Sequence, residues 1–344
     1  MIADEISFER PPRLEAVAPP EELGTRRDEV RLLLSRGPTL EDHRFIALPD
    51  LLEPEDLLVV NQSATWSASL PARAAGRGFL LNLSTRYSPD LWVAEARIDP
   101  ATPGPVSLRL GAWFEAAGVP VQRIAGFPGI ERLSFYRFQG DVQRAMALHG
   151  APIRYGYLSA PVPLSSYQTE FSRVDGSAEM PSAGRPFTAR VLRALERRGI
   201  RWTPITLHTG VSSLDRRDAA VEETLCYPEP FEVTEEAVRA VEETRRIGGR
   251  VIAVGTTVVR ALESAIGPRG LRPSRGFTRA FIHPGRALRV VDGLVTGFHD
   301  RGSTHLRLLS TFLPGAALER AYRSAVARGY KWHEFGDSHL ILRG

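Results

Sequence analysis

The run VIAVGTTVVRALES, residues 251–264, most constrains what this chain can fold into. Val251 to Val254 reads as a buried strand, and the pattern predicts a helix from Thr257 to Ala265 directly behind it. Only Gly255-Thr256 separates the two, which points to an α/β unit. Such a turn aims free backbone N–H groups and the positive helix end at one place, where an anion is stabilised. It lacks the further glycines of a dinucleotide fingerprint and the Gly-Lys-Ser/Thr of a P-loop, so a carboxylate or single phosphate suits it better than a diphosphate. On sequence alone, an ordinary strand-to-helix turn capped by threonine remains the alternative.

Strands and helices alternate around this unit from Tyr167 onward. Apolar residues at Phe187, Val191, Leu192 and Leu195 predict a helix over 187–198 that Gly199 stops. Ile200 to His208 reads as a strand. Thr234 is placed to cap a helix through Ile247, which Gly248-Gly249 ends. A further strand is predicted at Leu288 to Val291. Upstream, Pro54-Glu55-Asp56 turns into a buried strand, Leu57 to Val60, preceded by a helical or turn segment around Arg27 to Ser35. Residues 1–22 read as a proline-rich extended arm. Between about 66 and 140 the texture changes to short alternating pieces such as FLLNLS and LWVAEARI, separated by Pro, Gly and Asp, at the spacing of an antiparallel barrel or sandwich. The expected architecture is an α/β main domain (1–65 and 150–344) with a mostly parallel sheet, into which a β domain (66–149) is inserted. Ligand sites then belong at the carboxyl ends of the parallel strands.

With 344 residues, 43% hydrophobic and 24% charged, the chain has the balance of a globular protein. Its single cysteine, Cys226, excludes an intramolecular disulfide and a multi-cysteine zinc site. MIADEISFERPP carries early acids and no apolar core, so no signal peptide is expected, and no apolar run reaches the roughly 18 residues of a membrane span. These features predict a cytoplasmic protein with no membrane partner, monomeric or weakly homo-oligomeric. The formal net charge of +4 rests on arginine, Lys331 being the only lysine, and permits a phosphate-rich partner without requiring one.

The residues able to carry chemistry gather near predicted strand ends. ITLHTGVSS places His208 just before Gly210, where a histidine serves as base, donor or satisfied core group. GFHDRGSTHL concentrates His299, Asp300, Arg301, Ser303, Thr304 and His305, in a spacing that matches no zinc motif. KWHEFGDSHLIL offers Glu334, Asp337 and His339. In EMPSAGRPFT, Ser182 is no nucleophile elbow, because Met180 stands where the elbow needs glycine. Pro181 to Gly184 instead offers a small-residue approach for a ligand, and Pro186 suits a first helical turn.

Taken in order, LPDLLEPEDLLVVN, SYQTEF, PSAGRPFT, TLHTG, GGRVIAVGTTVVRALES, HPGRALRVVDGLVTGFH, the Ser303-Thr304 pair and FGDSHLI resemble the S-adenosylmethionine:tRNA ribosyltransferase-isomerases of queuosine synthesis. The resemblance covers nearly the whole chain and is strongest from 165 onward. It implies an α/β domain with an inserted β-barrel. It also implies transfer and isomerisation of the ribosyl part of S-adenosylmethionine onto 7-aminomethyl-7-deazaguanine in tRNA, with adenine and methionine released. S-adenosylmethionine is then a consumed substrate, with no metal or other cofactor.

That chemistry needs a base for the ribose carbon beside the sulfonium, a donor to adenine and a desolvated pocket for the attacking amine. The expected catalytic residues are His208, His299 and Glu229. Thr256 and Thr257, with Gly255, are expected to take the methionine carboxylate, and Arg260 to act as counter-charge. Tyr167, Gln168 and Phe187 are expected to flank a base. Thr169, Ser182, Ala183, Gly184, Thr188, Gly210, Ser303, Thr304 and Asp337 complete the expected binding set. The chain departs from the family pattern at Ser182, at Arg185-Pro186 (leucine-histidine in the family), at Gln62-Ser63-Ala64, at Tyr227 (a histidine, with Glu229 keeping the acid) and at Asp300-Arg301-Gly302. Two other readings stand beside this one: a paralogous enzyme using S-adenosylmethionine on a small-molecule acceptor, and a non-catalytic protein that binds S-adenosylmethionine or nucleic acid.

Overall fold

Successive side chains of a strand point to opposite faces of a sheet, and here both faces are apolar. The structure is a computed structural model and describes residues 6–99, 106–211 and 227–343. After 3₁₀ turns at Pro12–Leu14, Pro20–Leu23 and Arg27–Glu29 comes a hairpin of β1 (Arg31–Arg36) and β2 (Thr39–Arg44). A 3₁₀ segment, Phe45–Leu51, leads to β3 (Leu57–Asn61) and the short β4 (Ser63–Thr65). The chain then makes β5 (Ser69–Ala74), β6 (Arg77–Arg86), β7 (Leu91–Arg97), β8 (Trp113–Ala116), β9 (Val119–Phe127) and β10 (Ile130–Phe138). Helix α1 (Val142–His149) and β11 (Val174–Ser177) precede α2 (Ala189–Arg197), β12 (Arg201–Leu207) and β13 (Glu229–Val233). Next come α3 (Glu235–Arg246), β14 (Val251–Val254) and α4 (Thr256–Ser264). The chain ends through β15 (Ile266–Gly267), β16 (Gly270–Leu271), β17 (Ser274–Thr278), β18 (Gly293–Gly297), α5 (Thr304–Leu309), α6 (Gly315–Ala327) and β19 (Ser338–Leu342).

The main sheet has the order β17-β13-β12-β3-β14-β18-β19-β1-β2. Its central strands β12, β3, β14 and β18 run parallel, so their carboxyl ends meet on one side. Antiparallel strands flank them, β13 with β17 on one wing and β19 on the other. Leu58, Val60, Ile252, Val254 and Val295 face α2 through Val191 and Leu195. Leu57, Val59, Val251, Ala253 and Leu294 pack with Val241 of α3, Leu262 of α4 and Tyr322 of α6. Burying each such side chain contributes roughly 1.5–3 kcal/mol, so both layers hold the sheet from which the site projects.

The strands β5 to β10 close into a barrel in the order β10-β7-β6-β5-β8-β9. Leu70, Leu81, Leu83, Ala94, Phe114 and Tyr136 form its core, which Val142 and Met146 of α1 join. Ser69 and Ala151 exchange backbone hydrogen bonds of 2.9 and 3.0 Å and so pin the two stems of the insertion together. Glycine is needed beside them, because a Cβ at Gly150 would lie 2.2 Å from the Ser67 carbonyl oxygen.

Three local expectations fail. The segment around Arg27 to Ser35 is the expected turn only over Arg27–Glu29 and a strand from Arg31, since Leu32, Leu33 and Leu34 are buried on both faces of the sheet. Leu288 to Val291 is not a strand. The Glu263 carboxylate accepts from Arg289 N at 3.0 Å and Val290 N at 2.9 Å, which diverts those donors from a ladder, and the strand begins at Gly293. Helix α2 starts at Ala189 with Thr188 as its N-cap, so Pro186 precedes the helix rather than occupying its first turn.

Candidate active site

Loops at the carboxyl ends of the parallel strands surround a cleft of about 820 Å³. Gly255 sits at φ 100°, a conformation that glycine adopts without strain, and its N–H donates to the Val295 carbonyl at 2.8 Å. No side chain caps α4, and Gly255, Thr256 and Thr257 at its start line the cleft. Ser182 and Ala183, in a 3₁₀ turn, approach from across. A Cβ on Gly255 would come to 3.4 Å from that of Ala183. Asn61 ties the strand ends together: its Nδ2 donates to the Leu207 carbonyl at 2.8 Å and to Thr257 Oγ1 at 3.4 Å, while its Oδ1 accepts from Leu207 N at 3.1 Å.

Glu229, 1% exposed, forms an ion pair with Arg260 and accepts from Gly210 N at 2.9 Å. Arg260 also donates to the Ala280 carbonyl at 3.1 Å. Both carboxylate oxygens are therefore engaged, and the pair forms a charged, rigid part of the cleft wall.

His299 and His305 stack in the cleft with ring centroids 4.6 Å apart and planes within 9°. Thr296 Oγ1 lies 2.9 Å from His299 Nε2 and fixes the ring. Burial pushes His305 down to about 4, with the Arg260 charge adding to it. Burial, then the neighbouring His305 and His333, hold His299 well below its ordinary value. Both imidazoles are neutral near pH 7, and each carries a lone pair able to take a proton.

Aromatic rings and a carboxylate make another wall. Tyr157 stacks on Tyr155 at 5.6 Å and on His333 at 4.7 Å, and its hydroxyl donates to Glu334. Burial and the Glu334 charge hold the phenols of Tyr155 and Tyr157 well above their usual range. His333 takes a left-handed φ of 72°, a strained conformation for a residue with a Cβ, and the Tyr157 stack helps to hold it. Among the described residues, no three His, Cys, Asp or Glu side chains are grouped to hold a metal ion.

The model of the queuosine biosynthesis proteins matches residues 3–341. The chain belongs to the queuosine biosynthesis protein family. An S-adenosylmethionine:tRNA ribosyltransferase-isomerase of Thermus thermophilus is 37% identical over 336 residues, covering 94% of this chain and 97% of the relative. One of Rhodospirillum rubrum is 34% identical and covers 99% and 98%. The crystal structure of an S-adenosylmethionine tRNA ribosyltransferase from Thermotoga maritima is 28% identical, covers 98% of this chain and 100% of that one, and superposes with a TM-score of 0.55.

Within this queuosine-family cleft stand ten of the residues expected from sequence: Ser182, Ala183, Glu229, Gly255, Thr256, Thr257, Arg260, His299, Ser303 and Thr304. Others lie outside it. Tyr167 packs against Tyr155 and Phe335, and Phe187 is enclosed by Phe45 and Phe171, so neither ring flanks a base there. The Gln168 amide pairs with both the N–H (3.1 Å) and the carbonyl (2.8 Å) of Thr65, like a strand partner. Thr169 caps Phe171 N at 3.2 Å, and Thr188 holds Val191 N and donates to Asp28. Gly184 leaves room for Phe171, and Gly210 for Tyr227, whose ring would lie 2.5 Å from an added Cβ. Asp337 accepts from Arg31 N and Lys331 N, each at 2.7 Å.

His208 also lies outside the cleft lining. Its Nδ1 is 2.7 Å from Ser63 Oγ, which in turn is 2.6 Å from Ser177 Oγ, and burial lowers its pKa. Ser63 is one of the family departures, and here it anchors this histidine. Arg185, another departure, is only 3% exposed. It binds both oxygens of Glu21 (3.0 and 2.9 Å) and the Ser166 carbonyl (3.0 Å), and lies 4.8 Å over the Phe335 ring. It clamps the N-terminal arm onto the small-residue loop. Sequence reasoning missed Tyr155, Glu179, Thr209 and His333, and named His305 and Glu334 only as polar candidates without a role; all six line the cleft. Of these, His305 and Glu334 stand in motifs already rich in polar residues, a signal that was present but not decisive.

Proposed function

We propose that this chain transfers and isomerises the ribosyl part of S-adenosylmethionine onto 7-aminomethyl-7-deazaguanine in tRNA, giving epoxyqueuosine and releasing adenine and methionine. The observation that carries the reading is a cleft joining an uncapped helix N-terminus to two neutral imidazoles, in a chain 37% identical to an S-adenosylmethionine:tRNA ribosyltransferase-isomerase over nearly its whole length.

The methionine carboxylate binds the first N–H groups of α4 and the hydroxyls of Thr256 and Thr257. The sulfonium acidifies the adjacent ribose carbon, and the neutral His299 imidazole, oriented by Thr296 and stacked on His305, takes that proton. A substrate amine attacks only when neutral, and any burial in the cleft favours that form by penalising the ammonium. Adenine departs as its ring nitrogens gain hydrogen bonds or a proton. S-adenosylmethionine is the consumed substrate, tRNA the partner that brings the acceptor, and the cytoplasm the place of the reaction.

The test is to incubate the protein with labelled S-adenosylmethionine, with and without tRNA bearing the aminomethyl-deazaguanine base, and to measure adenine and methionine. Release that depends on this tRNA supports the reading. Release with a free base and none with the tRNA assigns the chain to a small-molecule acceptor. Binding without release under every condition makes it a non-catalytic binder.

A further inference from the structure

A second, smaller pocket of about 90 Å³ lies between the barrel and the main domain. It shares Tyr155 and Glu179 with the large cleft, so the two cavities meet at those residues. Its barrel side is a polar row: Ser69 of β5 pairs with Asn82 of β6, and Asn82 pairs with Glu95 of β7. Residues directly opposite in paired strands point to the same face. The interior of the barrel takes the intervening Leu81, Leu83, Ala94 and Ala96, so this row faces outward, toward Ile153 to Gly156 of the main domain.

Three buried polar side chains in a row need partners. Glu95 has Arg97 at 3.3 Å and Arg132 at 3.4 Å. Asn82 is 6% exposed, and its Oδ1 has no hydrogen-bond partner. Leaving such an acceptor unmet costs stability, and because Asn82 lines the pocket a turn of its amide brings Oδ1 to a ligand N–H there.

We propose that this pocket receives the lactam edge of the acceptor base, with Asn82 Oδ1 accepting from its 2-amino group. The inference rests on the tRNA reading above and names the residue that would select the base. A 2-amino-oxo-purine edge presents two adjacent donors next to one carbonyl. The pocket answers with the Asn82 acceptor and the Glu179 carboxylate, together with the Arg154 guanidinium for the carbonyl, while Glu95 stays paired with Arg97 and Arg132. An adenine edge presents one donor and one ring acceptor and suits this set less well. The wobble base lies in a single-stranded loop, from which a base is splayed out at small cost. The barrel thus supplies one side of a base-reading pocket, while the sulfonium chemistry stays with the strand ends.

Steady-state kinetics with S-adenosylmethionine and base-modified tRNA, on the unaltered protein, Asn82→Leu and Asn82→Ala, test this. The inference predicts a KM for tRNA raised about tenfold in both variants, the loss of one buried hydrogen bond, with the KM for S-adenosylmethionine within about twofold. A tRNA whose base lacks the 2-amino group, given to the unaltered protein, should show a comparable loss, and Asn82→Leu should no longer discriminate between the two tRNAs. An unchanged KM for tRNA, or equal increases in both KM values, overturns the inference and leaves the tRNA reading intact. No turnover of the modified tRNA by the unaltered protein overturns both. The tRNA comparison uses the native chain and so remains decisive if a variant folds poorly.

Discussion

His299 and His305 stack in a cleft whose burial keeps both imidazoles neutral, and from this follow the most specific residue-level expectations. His299→Ala should lower kcat by about 10²-fold or more while changing S-adenosylmethionine binding little, as expected for a proton acceptor. Equal losses in both would make it a positioning residue. Thr257→Val should weaken S-adenosylmethionine binding by roughly 0.5–1.5 kcal/mol, read by calorimetry, and unchanged affinity would remove that turn from the site. Stability carries the same signature. A histidine whose folded pKa is depressed binds fewer protons folded than unfolded, so its contribution is intact above about 6.5, the ordinary histidine value, and declines as pH falls below it. For His305 that decline runs down to its folded pKa of about 4. Urea midpoints measured across this window should fall with pH, and less steeply in His305→Gln.

At the scale of elements, the small-residue loop and the N-terminal arm are held together by Arg185. Truncating it leaves Glu21, itself 38% exposed, and the Ser166 carbonyl without their donor. Because solvent partly screens Glu21, Arg185→Ala should cost about 1–3 kcal/mol rather than the full penalty of a buried pair. Denaturant unfolding checks this, and a change below a few tenths of a kcal/mol would contradict the clamp. The strand–turn–helix from 251 to 264 was legible because periodicity, a glycine and a short connection all agree locally. The positions of Tyr167, Gln168 and Phe187 were not. An aromatic or amide in a motif looks alike whether it meets a ligand or, as for Gln168, completes the hydrogen bonds of a neighbouring backbone. Likewise, the strand expected at Leu288 to Val291 was lost to a side chain, Glu263, that is distant in sequence and takes its donors.

For the molecule as a whole, the sequence texture between 66 and 140 showed that a β domain interrupts the α/β chain, since alternation and turn residues are local signals. Closure of its six strands into a barrel is not local and came only from the family resemblance. The pairing of Ser69 with Ala151, and the polar row Ser69, Asn82 and Glu95, depend on contacts across the insertion that no spacing reveals. The resulting arrangement sets the cleft of the parallel strands beside a barrel face, two surfaces that an enzyme joining a small sulfonium donor to a base within a large acceptor would use together. The measurement that tests this account most directly follows carbon. With S-adenosylmethionine labelled in its ribose and tRNA bearing the aminomethyl-deazaguanine base, the account predicts label in the wobble nucleoside after the tRNA is digested, in step with the adenine released. Adenine release with no label in the tRNA would contradict it.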